Sequence, residues 1–341
     1  MDHVRLTRGS EDLLTHSQWP LKPHPVFPQW SPWSVYPYLY YGSMTHDVER
    51  RRYFMPALEN EFLRVSVAAD IGGRVWDVFD KVGGRHIVNF NTHVQTYNAG
   101  FGLNYTCGGL ECNYPLAHAC TTSRKREISF GRGPDGSASI TCSELDLIWR
   151  TRWSVTYTLY PGRSFLELKV RVYNRTPLES RYMYWNNCGV YVTKDTQFII
   201  PEREGAMHGR ERTTFSWPMW RGRDLSMFSQ TPPEMLGLYM LDARDPFFGS
   251  YDHAEGHGLV HYADLADLPG KKMWTWGSDP GYCGMLSQTH SGVGKVYMEI
   301  QSGRIVIQEH LDRVPPETEM EWREIWYPVR GTGAFNAAGP G

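Results

Sequence analysis

The feature that most constrains this chain is the recurrence of short alternating runs closed by turn residues. Residues 61–67 alternate apolar and polar side chains, Gly72-Gly73 breaks the run, and residues 74–79 alternate again, which predicts a hairpin with a glycine turn. Further strands are expected over about 138–150, 152–160, 164–174 and 180–192. Gly133-Pro134-Asp135-Gly136, Pro161-Gly162 and Asn174-Arg175-Thr176-Pro177 separate them. After a loop-rich stretch from about 201 to 234, strands resume at about 235–241, 258–264, 271–276, 295–302, 304–309 and 319–328. Turns at intervals of roughly ten to fifteen residues are those of a large antiparallel sandwich. No run longer than about ten residues carries a helical apolar period, so the fold class is all-β with few short helices.

At 341 residues the chain can bury a substantial core. Lys+Arg 35 against Asp+Glu 37, with no long run of one sign, argues against a nucleic-acid surface. The start has no apolar signal-like segment and no stretch approaches a membrane span, so a cytoplasmic protein without membrane contact is expected, a monomer or homodimer. Cys107, Cys112, Cys120, Cys142, Cys188 and Cys283 lack CxxC spacing, which predicts reduced buried thiols and neither a zinc site nor a disulfide framework. No cofactor is implied. Aromatic residues reach 14%, with 13 Trp and 20 Tyr, more than a core alone needs, and flat rings suit the C–H faces of sugars. The expected organisation is a Pro- and aromatic-rich arm over 1–45, a β body over 46–330 and a flexible tail over 331–341.

The run Val296-Tyr297-Met298-Glu299-Ile300-Gln301 puts Tyr297, Glu299 and Gln301 on one face of a strand and Val296, Met298 and Ile300 on the other. A carboxylate is thereby fixed on rigid scaffold beside an amide and an aromatic ring. The densest second cluster is Cys107-Gly108-Gly109-Leu110-Glu111-Cys112-Asn113, with His118 close behind, expected on a loop. Two carboxylates facing one pocket are the minimal equipment for glycoside hydrolysis, one protonated to donate and one to attack or activate water. Trp185, Asn186 and Asn187 lie at mid-strand, where an asparagine either finds core partners or meets a sugar hydroxyl. Asp252, His253 and His208 are candidate substrate contacts, and Lys272, Trp274 and Trp276 share a strand face as core or as a stacking platform. His257 and His261 have metal-like spacing, but the flanking glycines argue against the helix that would align them.

Several segments in order resemble the DUF5107 family of the galactose mutarotase-like superfamily. They are Glu59-Asn60-Glu61-Phe62-Leu63-Arg64-Val65, Ile71-Gly72-Gly73-Arg74-Val75-Trp76, Gly108-Gly109-Leu110-Glu111-Cys112-Asn113-Tyr114-Pro115, Asn174-Arg175-Thr176-Pro177 and Gly270-Lys271-Lys272-Met273-Trp274-Thr275-Trp276-Gly277. The resemblance implies a β-supersandwich whose concave face binds a saccharide, and longer members continue into tetratricopeptide repeats. Glu299-Ile300-Gln301 resembles the Glu-x-Gln of aldose 1-epimerases, whose glutamate is the general base on the anomeric hydroxyl. The strand of Asn186 and Asn187 resembles the one that carries their acid histidine, which is missing here. Glu111 lies in the region of another sugar-binding histidine.

Three functional expectations follow. The leading one is a glycoside hydrolase using Glu111 and Glu299, with Asn113, Trp185, Asn187, His208, Asp252, His253, Trp274, Trp276 and Gln301 binding substrate. The second is an aldose or sugar-phosphate 1-epimerase with Glu299 as base and His118 or His253 as acid. The third is a non-catalytic carbohydrate-binding module.

Overall fold

The computed structural model describes residues 3–18, 37–38, 44–100, 103–116, 118–209, 212–277, 279, 281, 296–308 and 310–333. Two large antiparallel sheets enclose the main core. The first, of 12 strands, runs in the order Arg5–Thr7, Ala57–Glu59, Leu63–Ala68, Arg74–Asp80, Leu110–Asn113, Trp185–Tyr191, Tyr297–Gly303, Gly270–Thr275, Leu236–Met240, Glu204–Met207, Thr214–Ser216, with Arg85–His86 beside Arg74–Asp80. The second, of 8, runs Glu127–Arg132, Ala138–Leu145, Thr151–Leu159, Leu166–Asn174, Glu319–Arg330, His257–Ala263, Phe247–Asp252, Thr196–Ile199. Among the described residues the one helical turn is Phe228–Gln230.

Period-two alternation explains why these runs pair as they do. Val75, Leu110, Cys188, Ile300, Met298, Met273 and Leu238 of the first sheet meet Ile140, Val155, Leu168, Val170, Phe248, Leu259, Trp322 and Trp326 of the second in one buried cluster. The opposite parity of the first sheet is polar. The expected hairpin forms between Leu63–Ala68 and Arg74–Asp80, and Gly72 (φ 67°) and Gly73 (φ 65°) take the left-handed turn that side chains rarely adopt.

Two expectations change, that of a strand at 304–309 and that of a loop over about 201–234. No strand forms over the described residues 304–308 of the expected run 304–309; Arg304 instead donates to Asp267 and to Asp312 and turns the chain away from a ladder. The stretch read as loop contains the short strands Glu204–Met207, Thr214–Ser216, Met219–Trp220 and Arg223–Asp224. Within the segment read as an arm, Arg5–Thr7 pairs with Ala57–Glu59 and Ser10–Gln18 with Met44–Phe54. Residues 19–36, which carry most of its prolines, and tail residues 334–341 lie outside the described residues. Cys107, Cys112, Cys120, Cys142 and Cys188 are buried free thiols, and Cys283 lies outside the described residues.

One buried carboxylate sits between the sheets. Glu324 accepts from Tyr184 Oη (2.9 Å), Asn186 Nδ2 and Trp326 Nε1 (3.3 Å), and lies 2.8 Å from His261 Nε2. Asn186 and His261 are therefore core residues, each matched to the same carboxylate.

Candidate active site

The site is built by register. Glu111 pairs with Asn187, Asn187 with Gln301, Gln301 with Lys272 and Lys272 with Tyr239, so these side chains form a transverse row on the polar face. Arg74 extends the row at one end, since its strand pairs Val75 with Leu110. In the next row Gly189 pairs with Glu299 and Glu299 with Trp274. Gly108, Gly109 and Gly189 line a small cavity there together with Arg74, Tyr105, Glu111, His118, Asn187, Tyr297 and Glu299.

Glu111 is locked. The buried Arg74 guanidinium ion-pairs with Oε1, and the Thr122 hydroxyl accepts from Arg74 (2.6 Å) while donating to the same carboxylate oxygen. Oε2 accepts from Asn113 Nδ2 at 3.3 Å and lies 3.7 Å from His118 Nδ1. Burial pushes the carboxyl up, but Arg74, His118 and Thr122 outweigh it and hold the pKa at about 2. Glu111 is thus a permanent anion whose oxygens are already engaged.

Glu299 is shifted the other way. Its Oε1 accepts from Tyr297 Oη at 2.9 Å and its Oε2 from Gln301 Nε2 at 2.7 Å. Burial raises its pKa above the ordinary carboxylate value, only partly countered by His118, the Tyr297 hydroxyl and Lys272, and Glu111 adds to the rise. Burial likewise keeps the Tyr297 hydroxyl protonated and donating. A carboxyl with a raised pKa in a polar recess is suited to proton transfer.

His118 lines the same cavity as the two carboxylates and acts electrostatically on both. Its backbone is left-handed (φ 56°), a conformation uncommon for histidine, and its ring lies 5.3 Å from that of Tyr105. Asn113 holds this loop: its Oδ1 accepts from the Ala119 amide at 2.9 Å while its amide nitrogen grips Glu111. The Glu111 segment, expected as a loop, is in part the strand Leu110–Asn113, which is why Glu111 is so rigidly placed.

Aromatic rings border the recess. Tyr97 stacks on Tyr105 (5.3 Å), Tyr105 on Trp276 (5.9 Å), and Trp276 meets Trp274 edge-on (6.0 Å). His208 packs between Trp274 (5.2 Å) and Tyr239 (5.5 Å). Lys272 donates to Gln308 Oε1 at 2.6 Å with its ammonium near the Trp274 and Tyr239 rings.

Glu111, Asn113, His118, Asn187, His208, Trp274, Trp276, Glu299 and Gln301 thus gather on one face. Three expected residues do not join them as ligand contacts. Trp185 shares the face but is fully buried over Gly303 and Gly270, where an added Cβ would come within 2.2 Å and 2.8 Å of its indole. Asp252 belongs to the second sheet and accepts from Thr193 (2.5 Å) and Thr196 (2.8 Å). His253, just past the same strand, pairs with Gln197 at 2.8 Å. Sequence reasoning missed Arg74 and Thr122. The signal for Arg74 was available, because an arginine on the alternating strand after Gly72-Gly73 needs a carboxylate partner if buried.

A larger cleft of about 630 Å³ opens at His86, Asp252 and His257 and shares no lining residue with this recess. Its polar groups are engaged, Arg85 with Glu255, Asp252 with Thr193 and Thr196, and His86 with Asp77 behind the cleft wall, so it lacks the poised carboxyl that marks the Glu299 site. Among the described residues no three His, Cys, Asp or Glu side chains converge as metal ligands.

The profile of the family described as "Domain of unknown function (DUF5107)" matches residues 31–329. A TPR-domain containing protein from Parabacteroides distasonis shares 25% identity and a TM-score of 0.85, over 99% of this chain and 57% of its own. This chain thus spans little more than half the length of that relative. A galactose mutarotase-like protein from Clostridium acetobutylicum matches with TM-score 0.58 at 10% identity, over 82% of this chain and 96% of its own. A galactose mutarotase related enzyme from Lactobacillus acidophilus matches with TM-score 0.55 at 11% identity, over 82% and 99%. These last likenesses carry the fold, and with the family profile spanning most of its length the chain belongs to DUF5107 on a galactose mutarotase-like architecture.

Proposed function

We propose that this protein acts on the anomeric centre of a saccharide, with Glu299 as general base and His118 as general acid, in an aldose 1-epimerase type of reaction. The observation that carries the reading is the contrast between two carboxylates on one face: Glu299 is raised and held by neutral donors, whereas Glu111 is locked to Arg74. Glu299 takes the proton of the anomeric hydroxyl, the C1–O5 bond opens with its electron pair moving to O5, and His118 protonates that oxygen. Rotation about C1–C2 and the reverse steps deliver the other anomer. Glu111 is a positioning residue, its carboxylate 3.7 Å from His118 Nδ1 favouring the charged ring beside it.

The carboxylate-pair hydrolase expected from the sequence would ask Glu111 to donate a proton or attack carbon, and its depressed pKa and engaged oxygens oppose both roles. One observation favours a second reading, glycoside cleavage with Glu299 as the acid. The Tyr105, Trp276 and Trp274 rings offer a surface on which a second sugar ring would stack.

Saturation-transfer NMR on free aldoses, run beside a reducing-sugar assay on a glycoside panel, tests the choice. Wild type is expected to speed anomer exchange without cleaving glycosides, and Glu299→Gln to lose about 10²- to 10⁴-fold of that rate. Exchange undiminished in the variant would defeat the proposal, and cleavage without exchange would favour the second reading.

A further inference from the structure

Two amide oxygens in the recess have no hydrogen-bond partner. Asn187 Oδ1 and Gln301 Oε1 belong to residues that are 7% and 2% exposed and pair directly across neighbouring strands. Gln301 spends its Nε2 on Glu299 Oε2 at 2.7 Å, which fixes the amide and turns its carbonyl oxygen away from that carboxylate. Asn187 lines the cavity that Glu299 enters. An unpaired buried carbonyl is costly, and two of them on paired residues, the Asn187 one belonging to the lining of the cavity, is the arrangement expected where a ligand supplies the donors.

The chemistry of the donors can be narrowed. A carboxylate or a fully ionised phosphate has no hydrogen to give. An ammonium would face Lys272, the residue paired with Gln301 in the same row. Neutral hydroxyls remain, and two neighbouring acceptors call for two neighbouring hydroxyls.

We infer that Asn187 and Gln301 receive a vicinal diol of the sugar, the hydroxyls on carbons 2 and 3, adjacent to the anomeric carbon that Glu299 addresses. The inference rests on the preceding reading in placing carbon 1 at Glu299. Gln301 then has a double task, orienting Glu299 through its nitrogen and reading the substrate through its oxygen. Asn187 reads the neighbouring hydroxyl.

Titration calorimetry with D-glucose, D-galactose, 2-deoxy-D-glucose and 3-deoxy-D-glucose tests this, with saturation-transfer NMR on the same sugars. Each deoxy sugar is expected to bind wild type roughly 10- to 100-fold more weakly than glucose. Asn187→Ala is expected to reduce that penalty at one of the two carbons to less than about threefold, since the receiving oxygen is gone. Should that variant fail to fold, the wild-type comparison decides alone. Equal affinity for glucose and both deoxy sugars, or no binding of either hexose, overturns the diol inference. Discrimination without anomer exchange upholds it while removing the proposed reaction; exchange without discrimination does the reverse.

Discussion

Two glutamates on the same sheet face have pKa values shifted in opposite directions because their neighbours differ. Glu111 meets a buried guanidinium, whereas Glu299 meets a phenol and an amide, which stabilise a carboxylate less than a full charge does. As a base Glu299 must be ionised, so kcat/KM for anomer exchange should rise with pH along an acid limb lying above the ordinary glutamate value. Lys272 holds that limb down, and Lys272→Met should move it to higher pH; a pH–rate profile with an unmoved limb would contradict the assignment. For stability the sign of Glu111 is the reverse. Its folded pKa is depressed to about 2, so its contribution is fully present above the unfolded value near 4.5 and is lost as pH falls from there toward 2. That contribution is on the order of 3 kcal/mol. Acid unfolding followed by circular dichroism should show a stability loss in this window that is smaller in Glu111→Gln, whose fold no longer depends on an ionised carboxylate there.

At the scale of elements, much was legible because alternation and turns are local. The run from Tyr297 to Gln301 presents its polar face as read, and the Gly72-Gly73 hairpin forms where its glycines demand. What was illegible is non-local. Nothing in the spacing says that Arg74 and Thr122 would meet Glu111, or that Glu111 would sit on a strand two removed from that of Glu299. Asp252 and His253 attracted attention as a polar pair, but strand parity inside a segment cannot say which sheet the segment joins. Glycines mark where elements press together. Gly109 has φ 69° and an added Cβ would lie 1.9 Å from the Val75 carbonyl, so the Glu111 strand can enter the sheet only without a side chain there. Gly109→Ala should therefore cost at least about 2 kcal/mol from backbone strain and steric overlap. In a chain of this size that lowers Tm by roughly 3 °C, which scanning calorimetry checks; an unchanged Tm would mean that the entry is looser than its geometry.

At the scale of the molecule, the site depends on how the two sheets are joined. The core between them is built on apolar side chains, and Glu324, on the second sheet, reaches Asn186 on the first. Asn186 Oδ1 accepts from the Ser302 amide at 3.0 Å, so this one side chain ties the strands that carry Asn187 and Gln301 to the opposite layer. A buried carboxylate is expensive to desolvate and is offset only by complete pairing, which Tyr184, Asn186, His261 and Trp326 supply. Removing it orphans several donors at once. Glu324→Ala should destabilise the fold by about 3–5 kcal/mol and lower Tm by roughly 4–7 °C. Glu324→Gln retains an acceptor oxygen and should lose less. Should Glu324→Ala melt with wild type, the carboxylate would be dispensable to the joint between the sheets, and the alignment of Asn187 with Gln301 would have to come from the strand ladder alone.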